Sequence, residues 1–149
     1  MPDAFADPAD QAQRVLARRR LRFELRELLL VAAGAAPGAW LRWQVGVELG
    51  PWLGGAAGAD LVVNLLGSFI LGALAGPIPC RTPLVLCLGI GFCGCLTTFS
   101  SWMLDVVQLL EAGRVWSALV LVASSLVLGL ACAALGLVCS RRIFRRRMA

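Results

Sequence analysis

Four apolar stretches, separated by short polar connections, dominate the hydropathy pattern of this chain. The first runs from about Leu28 to Val47 and is interrupted only by Arg42 and Gln44. The second is uncharged from Leu61 to Cys80, the third from Thr82 to Leu104 and the fourth from Val115 to Ser140. Each has the length, roughly 20 residues, that an α-helix needs to cross a bilayer core. The pattern predicts an all-α membrane protein with four transmembrane helices and connections too short to hold a separate soluble domain.

The third stretch contradicts its own apolar character at its centre. GFCGCLTTFSSW, Gly91 to Trp102, packs glycines and hydroxyl residues into mid-membrane. Glycine is a poor helix former, and Ser and Thr compete for backbone hydrogen bonds. Lipid tolerates a broken helix only where it is buried in protein or lines a cavity. We therefore expect the third helix to be broken at Gly94–Ser101. Carbonyls freed by the break would form a cation site, and freed amides an anion site. Phe99 and Trp102, one turn apart, would share a face beside it.

The second stretch carries a polar stripe. Asp60, Asn64 and Ser68 follow at intervals of four and line one helical face, opposite Leu, Val, Phe and Ile. Two readings stay open. Asn64 could hydrogen-bond a neighbouring helix, or the stripe could mark a water or ion path. In the fourth stretch Ser117, Ser124 and Ser125 accompany Gly129, and such serines often bond back to their own helix.

Composition agrees with a membrane chain. Of its 149 residues 59% are hydrophobic and 15% charged, with a mean hydropathy of +0.80. A soluble domain carries about 25% charged residues. The net charge of +5 comes from arginine alone, concentrated at Arg14, Arg18, Arg19, Arg20, Arg22 and Arg26 and again at Arg141, Arg142, Arg145, Arg146 and Arg147. Positive flanks of this kind predict both termini in the cytoplasm, with membrane lipid headgroups as a further contact. No recognition module accompanies the charge, which argues against nucleic acid. The chain divides into an arginine-rich segment, residues 1–26, expected to be largely disordered or interfacial; a four-helix membrane domain, 27–140; and a basic cytoplasmic tail, 141–149. The charged-then-apolar order of the first two resembles a signal peptide, but the apolar part is too long.

Cys80, Cys87, Cys93, Cys95, Cys132 and Cys139 lack the spacing of a zinc site, and the chain has no histidine. They read as small apolar residues at helix contacts. Gly89 to Gly94 matches GxGxxG, yet it lies inside an apolar run without the strand that a dinucleotide site needs; its glycines suit close helix approach. No nucleophile–base or metal set suggests an enzyme.

Three blocks together resemble a known family. GAAPGAWLRW (Gly34 to Trp43), LVVNLLGSFILG (Leu61 to Gly72) and GFCGCLTTFSSW are similar, in order and spacing, to the signature segments of the CrcB/Fluc fluoride channels. The resemblance spans about Gly34 to Gly136. It implies a small four-helix chain of the cell membrane that pairs as an antiparallel dimer, with two fluoride pores along the subunit boundary. It implies passive fluoride export that lowers cytoplasmic fluoride. It also implies a structural sodium ion at the dimer centre, held by main-chain carbonyls, here those of Gly94 and Thr97. By motif position Asn64 is the pore asparagine, Phe99 the first aromatic of the pore, and Ser125 the pore serine. Thr98 and Trp102 are carried over as pore-lining residues. Arg42 ends the first helix as a vestibule residue.

Four positions depart from the family pattern: Trp102 for a second phenylalanine, Leu121 for a tyrosine, Asp60 for a threonine, and Cys95 for a glycine. An ionised Asp60 beside an anion path would repel the ion, so it is expected to be neutral, paired with an arginine, or outside the pore. Two other functions compete. One is a non-conducting partner subunit. The other is a four-helix multidrug exporter, which relies on a carboxylate in its first span; the first span here has none. An antiparallel homodimer requires chains that insert both ways and hence balanced arginines. This chain places twelve on the cytoplasmic side, counting Arg81, against Arg42 and Arg114 outside. The bias favours a heterodimer with an oppositely inserted relative.

Overall fold

The structure, a computed structural model, describes residues 8–78 and 81–148, and among these there is no β-strand. Helix α1 (Pro8–Gln44) runs into a π-helical turn, Val45–Leu49, and a 3-10 turn, Gly50–Trp52. Helix α2 (Ala56–Leu74) follows. A third helical run begins as α3 (Arg81–Leu84), widens into a π-helical stretch, Val85–Cys93, and ends as α4 (Gly94–Leu96). After an interruption come α5 (Ser100–Glu111) and α6 (Val115–Met148).

Among the described residues, three helical stretches are long and apolar enough to cross a membrane: Ala56–Leu74, Thr82–Glu111 and Val115–Phe144. The first expected span, Leu28–Val47, lies mostly in α1 and is not one of them. Arg42 and Gln44 dilute its apolar character, and Pro37 sits inside the helix. The third span also reaches further than the uncharged run ending at Leu104, because α5 continues through Asp105 to Glu111.

From Pro8 onward the amino-terminal segment is helical and continuous with α1. Arginine and leucine are both good helix formers, and no proline or glycine interrupts the sequence between Ala9 and Ala33. Residues 1–7 lie outside the described residues, as does Cys80 of the six cysteines.

Two helix pairs build the core. Helix α1 packs along the π-helical stretch, and α2 along α6. Both contacts bring backbone against backbone. A methyl group added at Gly34 would fall on the Cys87 carbonyl, and one at Gly91 on the carbonyl of Val31. Gly72 and Gly136 stand in the same relation to the carbonyls of Ala133 and Phe69. Glycine at these positions removes the Cβ that would hold the helices apart, the usual device where lipid supplies no hydrophobic drive between helices. The small buried core at the centre contains Val63, Cys93 and Leu96, at 1%, 1% and 0% exposure. Of the Gly89–Gly94 motif, Gly91 makes this close approach, whereas a side chain at Gly94 would meet nothing within 4 Å.

Gly34→Ala and Gly91→Ala should each force α1 away from the third run, an overpacking cost of about 1–3 kcal/mol. Their thermal unfolding midpoints in detergent should fall clearly below that of Gly46→Ala, whose added methyl group meets nothing within 4 Å. Equal midpoints for the three variants would show that this contact does not hold the core.

Candidate functional site

The third helical run stops where the sequence placed its glycines and hydroxyls, over a narrower stretch. Gly94–Leu96 keeps helical geometry. Thr97 then turns to extended backbone, at φ −75° and ψ 153°, and helix resumes at Ser100. The interruption therefore covers residues 97–99, at the centre of the expected Gly94–Ser101 break.

What closes the interruption is Asn64 of α2. Its Oδ1 accepts from the Thr98 amide at 2.8 Å, and its Nδ2 donates to the Thr98 carbonyl at 2.9 Å. A carboxamide offers a donor and an acceptor side by side, as a neighbouring backbone would. Thr98 is only 7% exposed, so neither of its peptide groups could turn to water. The Thr97 methyl lies where a Cβ on Gly67 would stand, which lets the loop sit close to α2. Thr97 Oγ1 donates back to the Cys93 carbonyl at 2.9 Å.

This arrangement changes the state of two carbonyls. In an unbroken helix the Gly94 carbonyl would accept from the Thr98 amide, and the Thr97 carbonyl from the Ser101 amide. The first amide is taken by Asn64, and the second donates to Thr98 Oγ1 at 3.3 Å. Both expected cation-binding carbonyls have thus lost the amide that helical geometry would give them. Gly94 is exposed, and a side chain there would meet nothing within 4 Å.

The aromatic pair stands beside the break. Phe99 and Trp102 have ring centroids 5.8 Å apart at 41°, and Phe99 is 73% exposed. Trp102 Nε1 donates to Ser125 Oγ at 3.0 Å, joining α5 to α6. Ser125 Oγ in turn donates to the Leu121 carbonyl at 2.7 Å, and Ser124 Oγ to the same carbonyl at 3.1 Å. The single hydroxyl proton of Ser125 is therefore used within its own helix.

The polar stripe on α2 divides among three neighbours. Asn64 holds the break. Ser68 lies beside Gly129 of α6. Asp60 lies within electrostatic reach of both Arg42 of α1 and Asp105 of α5. An oxygen of each carboxylate, Asp60 Oδ2 and Asp105 Oδ2, is buried without a hydrogen-bond partner among the described residues. Arg42 itself is exposed. Sequence reading missed Asp105, because it falls just past the uncharged run; its spacing of three from Trp102 was the available signal. It also missed that Thr98 contributes mainly through its backbone.

Comparison with known proteins gives the chain its relatives. The family described as "CrcB-like protein, Camphor Resistance (CrcB)" matches residues 29–137. A fluoride-specific ion channel FluC 2 from Synechococcus sp. (strain CC9902) is 50% identical over 116 residues, 78% of this chain and 81% of the relative. A second FluC 2, from Parasynechococcus marenigrum (strain WH8102), is 52% identical over 124 residues, 83% and 87% of the two chains. The same strain has a fluoride-specific ion channel FluC 1 that is 39% identical over 110 residues, 72% of this chain and 87% of that one. With most of its length matched on both counts, this multi-pass membrane protein belongs to the CrcB-like family.

Proposed function

We propose that this chain is a subunit of a fluoride-selective channel that lets fluoride leave the cell passively. In this reading α1 from about Leu28 supplies a fourth span beside the three more apolar ones. Two chains pair antiparallel, and both termini of this one face the cytoplasm. The observation that carries the reading is the break at residues 97–99, clasped by Asn64 and flanked by Phe99 and Trp102, in a chain whose relatives are named fluoride-specific channels.

The physics suits a small, strongly hydrated anion. A pore must replace its water with donors and must bind weakly at several places to keep it moving. Asn64 has a second Nδ2 hydrogen beyond the one given to Thr98. The first-turn amides of α5 open toward the break. Aromatic ring edges carry positive quadrupole density, and Phe99 is exposed enough to present one. Ser125 would line the path as an oxygen already committed to Leu121, with the Trp102 N–H as the nearby donor.

A sodium ion suits the carbonyls of Gly94 and Thr97, which lack their helical amides, and the open space at Gly94 would admit a second subunit's matching pair. Such a cation would offset the cost of an anion at low dielectric. Arg42 and Asp60 belong to a vestibule in which the arginine moderates the carboxylate's repulsion of the anion.

The arginine bias and the coexistence of FluC 1 and FluC 2 chains in one strain favour a heterodimer. A non-conducting role for this subunit is the second reading. It is favoured by the internal commitments of Asn64 and Ser125 and by the two unpartnered carboxylate oxygens.

The direct test is ion efflux from proteoliposomes, with chloride as the control, for this chain alone and together with a FluC 1-type relative. Fluoride efflux from either preparation supports the reading; efflux from neither overturns it. Asn64→Asp cannot donate to the Thr98 carbonyl, so flux should collapse and stability should drop by about 1–3 kcal/mol for the carbonyl left unpaired. Phe99→Ile should also lose most of its flux but keep its melting temperature, since this ring is largely exposed. Wild-type flux in both variants would remove them from the path.

Exchange of sodium for a large organic cation should lower both thermal stability and flux, and re-addition should restore them. Unchanged stability and flux would rule out a structural sodium. Reporter fusions at the carboxyl terminus should signal from the cytoplasm only; equal signals from both sides would mean dual insertion and a homodimer.

A further inference from the structure

The third apolar span begins at Thr82, and α1 packs alongside the run that follows. At that level the two helices leave a groove of about 230 Å³ between them. Its lining includes Arg26, Glu27 and Leu30 of α1 with Thr82, Pro83 and Leu86 of the third run. One turn past Leu30, Gly34 meets the carbonyl of Cys87, and the two backbones touch. The groove is the gap left before that contact, where Pro83 puts a ring in place of a backbone N–H.

The lining is graded. Arg26 and Thr82 stand four residues before Leu30 and Leu86, which on each helix is about one turn, or roughly 6 Å. Polar groups therefore occupy the level where the span begins, and leucines the level inside it. A lipid molecule has the same order, with its headgroup at the boundary and its acyl chains beneath. Charge adds a sign. Arg18, Arg22 and Arg26 follow at intervals of four and share one face of α1, leading to the groove. Glu27 is the acid of the lining and is half-buried, whereas Arg26 is exposed. With Arg18, Arg19, Arg20, Arg22 and Arg26 against Glu24 and Glu27, the surroundings favour an anion. The planar fork of an arginine matches a phosphate bidentately, and the Thr82 hydroxyl is a further donor. Volume decides between a lipid and a helical partner. One helical turn, about 10 Å across and 5.4 Å long, fills roughly 400 Å³, more than the groove holds.

We propose that this groove binds one anionic phospholipid. Its phosphate is held by Arg26 and Thr82, and the first carbons of an acyl chain lie against Leu30 and Leu86. The lipid fills the gap beside the Gly34–Cys87 contact and ties α1 to the third run, whatever ion the protein conducts. A ligand that binds only the folded chain stabilises it by mass action, so binding has a readout apart from transport.

The test mixes the full chain, in uncharged detergent, with phosphatidylglycerol or with phosphatidylcholine of the same acyl chains. Salt is set at about 0.15 M, where a Debye length of about 8 Å weakens the pull of the more distant arginines. Native mass spectrometry counts bound lipid, and thermal unfolding reads its effect. Phosphatidylglycerol should add one lipid per chain and raise the unfolding midpoint with concentration; phosphatidylcholine should do neither. Arg26→Gln should weaken the adduct about tenfold or more, the loss expected for a charge-assisted hydrogen bond. Because Arg26 is exposed, its replacement leaves the fold intact. Arg18→Gln, two turns away on the same face, should change binding less than about twofold. Glu27→Gln removes a repelling charge and should tighten it. Four results overturn the proposal. Equal binding of the two lipids removes the preference for an anion. Equal losses in the Arg18 and Arg26 variants mean a diffuse attraction to the whole arm. Weaker binding in Glu27→Gln means a cationic headgroup, and displacement of the lipid by inorganic phosphate means a site for free anions.

Discussion

The two-way hydrogen bond between Asn64 and the backbone of Thr98 is the interaction on which the rest of this structure depends. A membrane helix that stops in mid-span leaves peptide groups with no water to turn to, and each unpaired group costs several kcal/mol in hydrocarbon. Here one carboxamide from the neighbouring helix takes both the donor and the acceptor of the peptide pair at the break. The interruption is thereby a fixed feature with a defined direction. Carbonyls are released on the α4 side of the break and amides on the α5 side. The Phe99–Trp102 pair and the Trp102–Ser125 hydrogen bond stand beside it, where the chain restarts its helix at Ser100.

Close backbone packing serves the same end. Gly67 admits the Thr97 methyl, and Gly34 and Gly91 bring α1 against the third run. The approach at Gly67 keeps α2 close to the loop, within reach of a side chain as short as asparagine. That glycine is therefore part of how the break is closed, although it does not belong to it. The π-helical winding of Val85–Cys93 occurs in the same segment, and π-turns recur at functional sites in other helices.

Much of this was legible in the sequence, for reasons that differ by feature. The break could be read because GFCGCLTTFS violates lipid's preference for continuous helix so openly. The helical class and the apolar spans followed from length alone. Asn64 could be picked out as polar among apolar residues, but its partner could not, because a pairing 34 residues apart through a backbone carbonyl leaves no trace in spacing. Asp60 and Asp105 illustrate the same gap: each is visible as a charge, and only tertiary packing brings Asp60 within electrostatic reach of Asp105 and Arg42. Ser125 was readable as a hydroxyl in a membrane helix, whereas its place under the Trp102 indole depended on how α5 resumes after the break. The first expected span is less apolar than the other three, since Arg42 and Gln44 weigh on its final turns.

The unbroken course of α1 has a mechanical consequence. At 1.5 Å per residue its 37 residues make a rod of about 55 Å, against a hydrocarbon core of about 30 Å. The stretch from Pro8 to Leu28 is thus a rigid arm of about 30 Å continuous with a helix that touches the third run along its length. Any tilt of α1 against that run is multiplied at the arm's far end. A rotation of about 10° at Leu28 carries Pro8 through about 5 Å, so movements too small to resolve beside the break become displacements large enough to follow from outside.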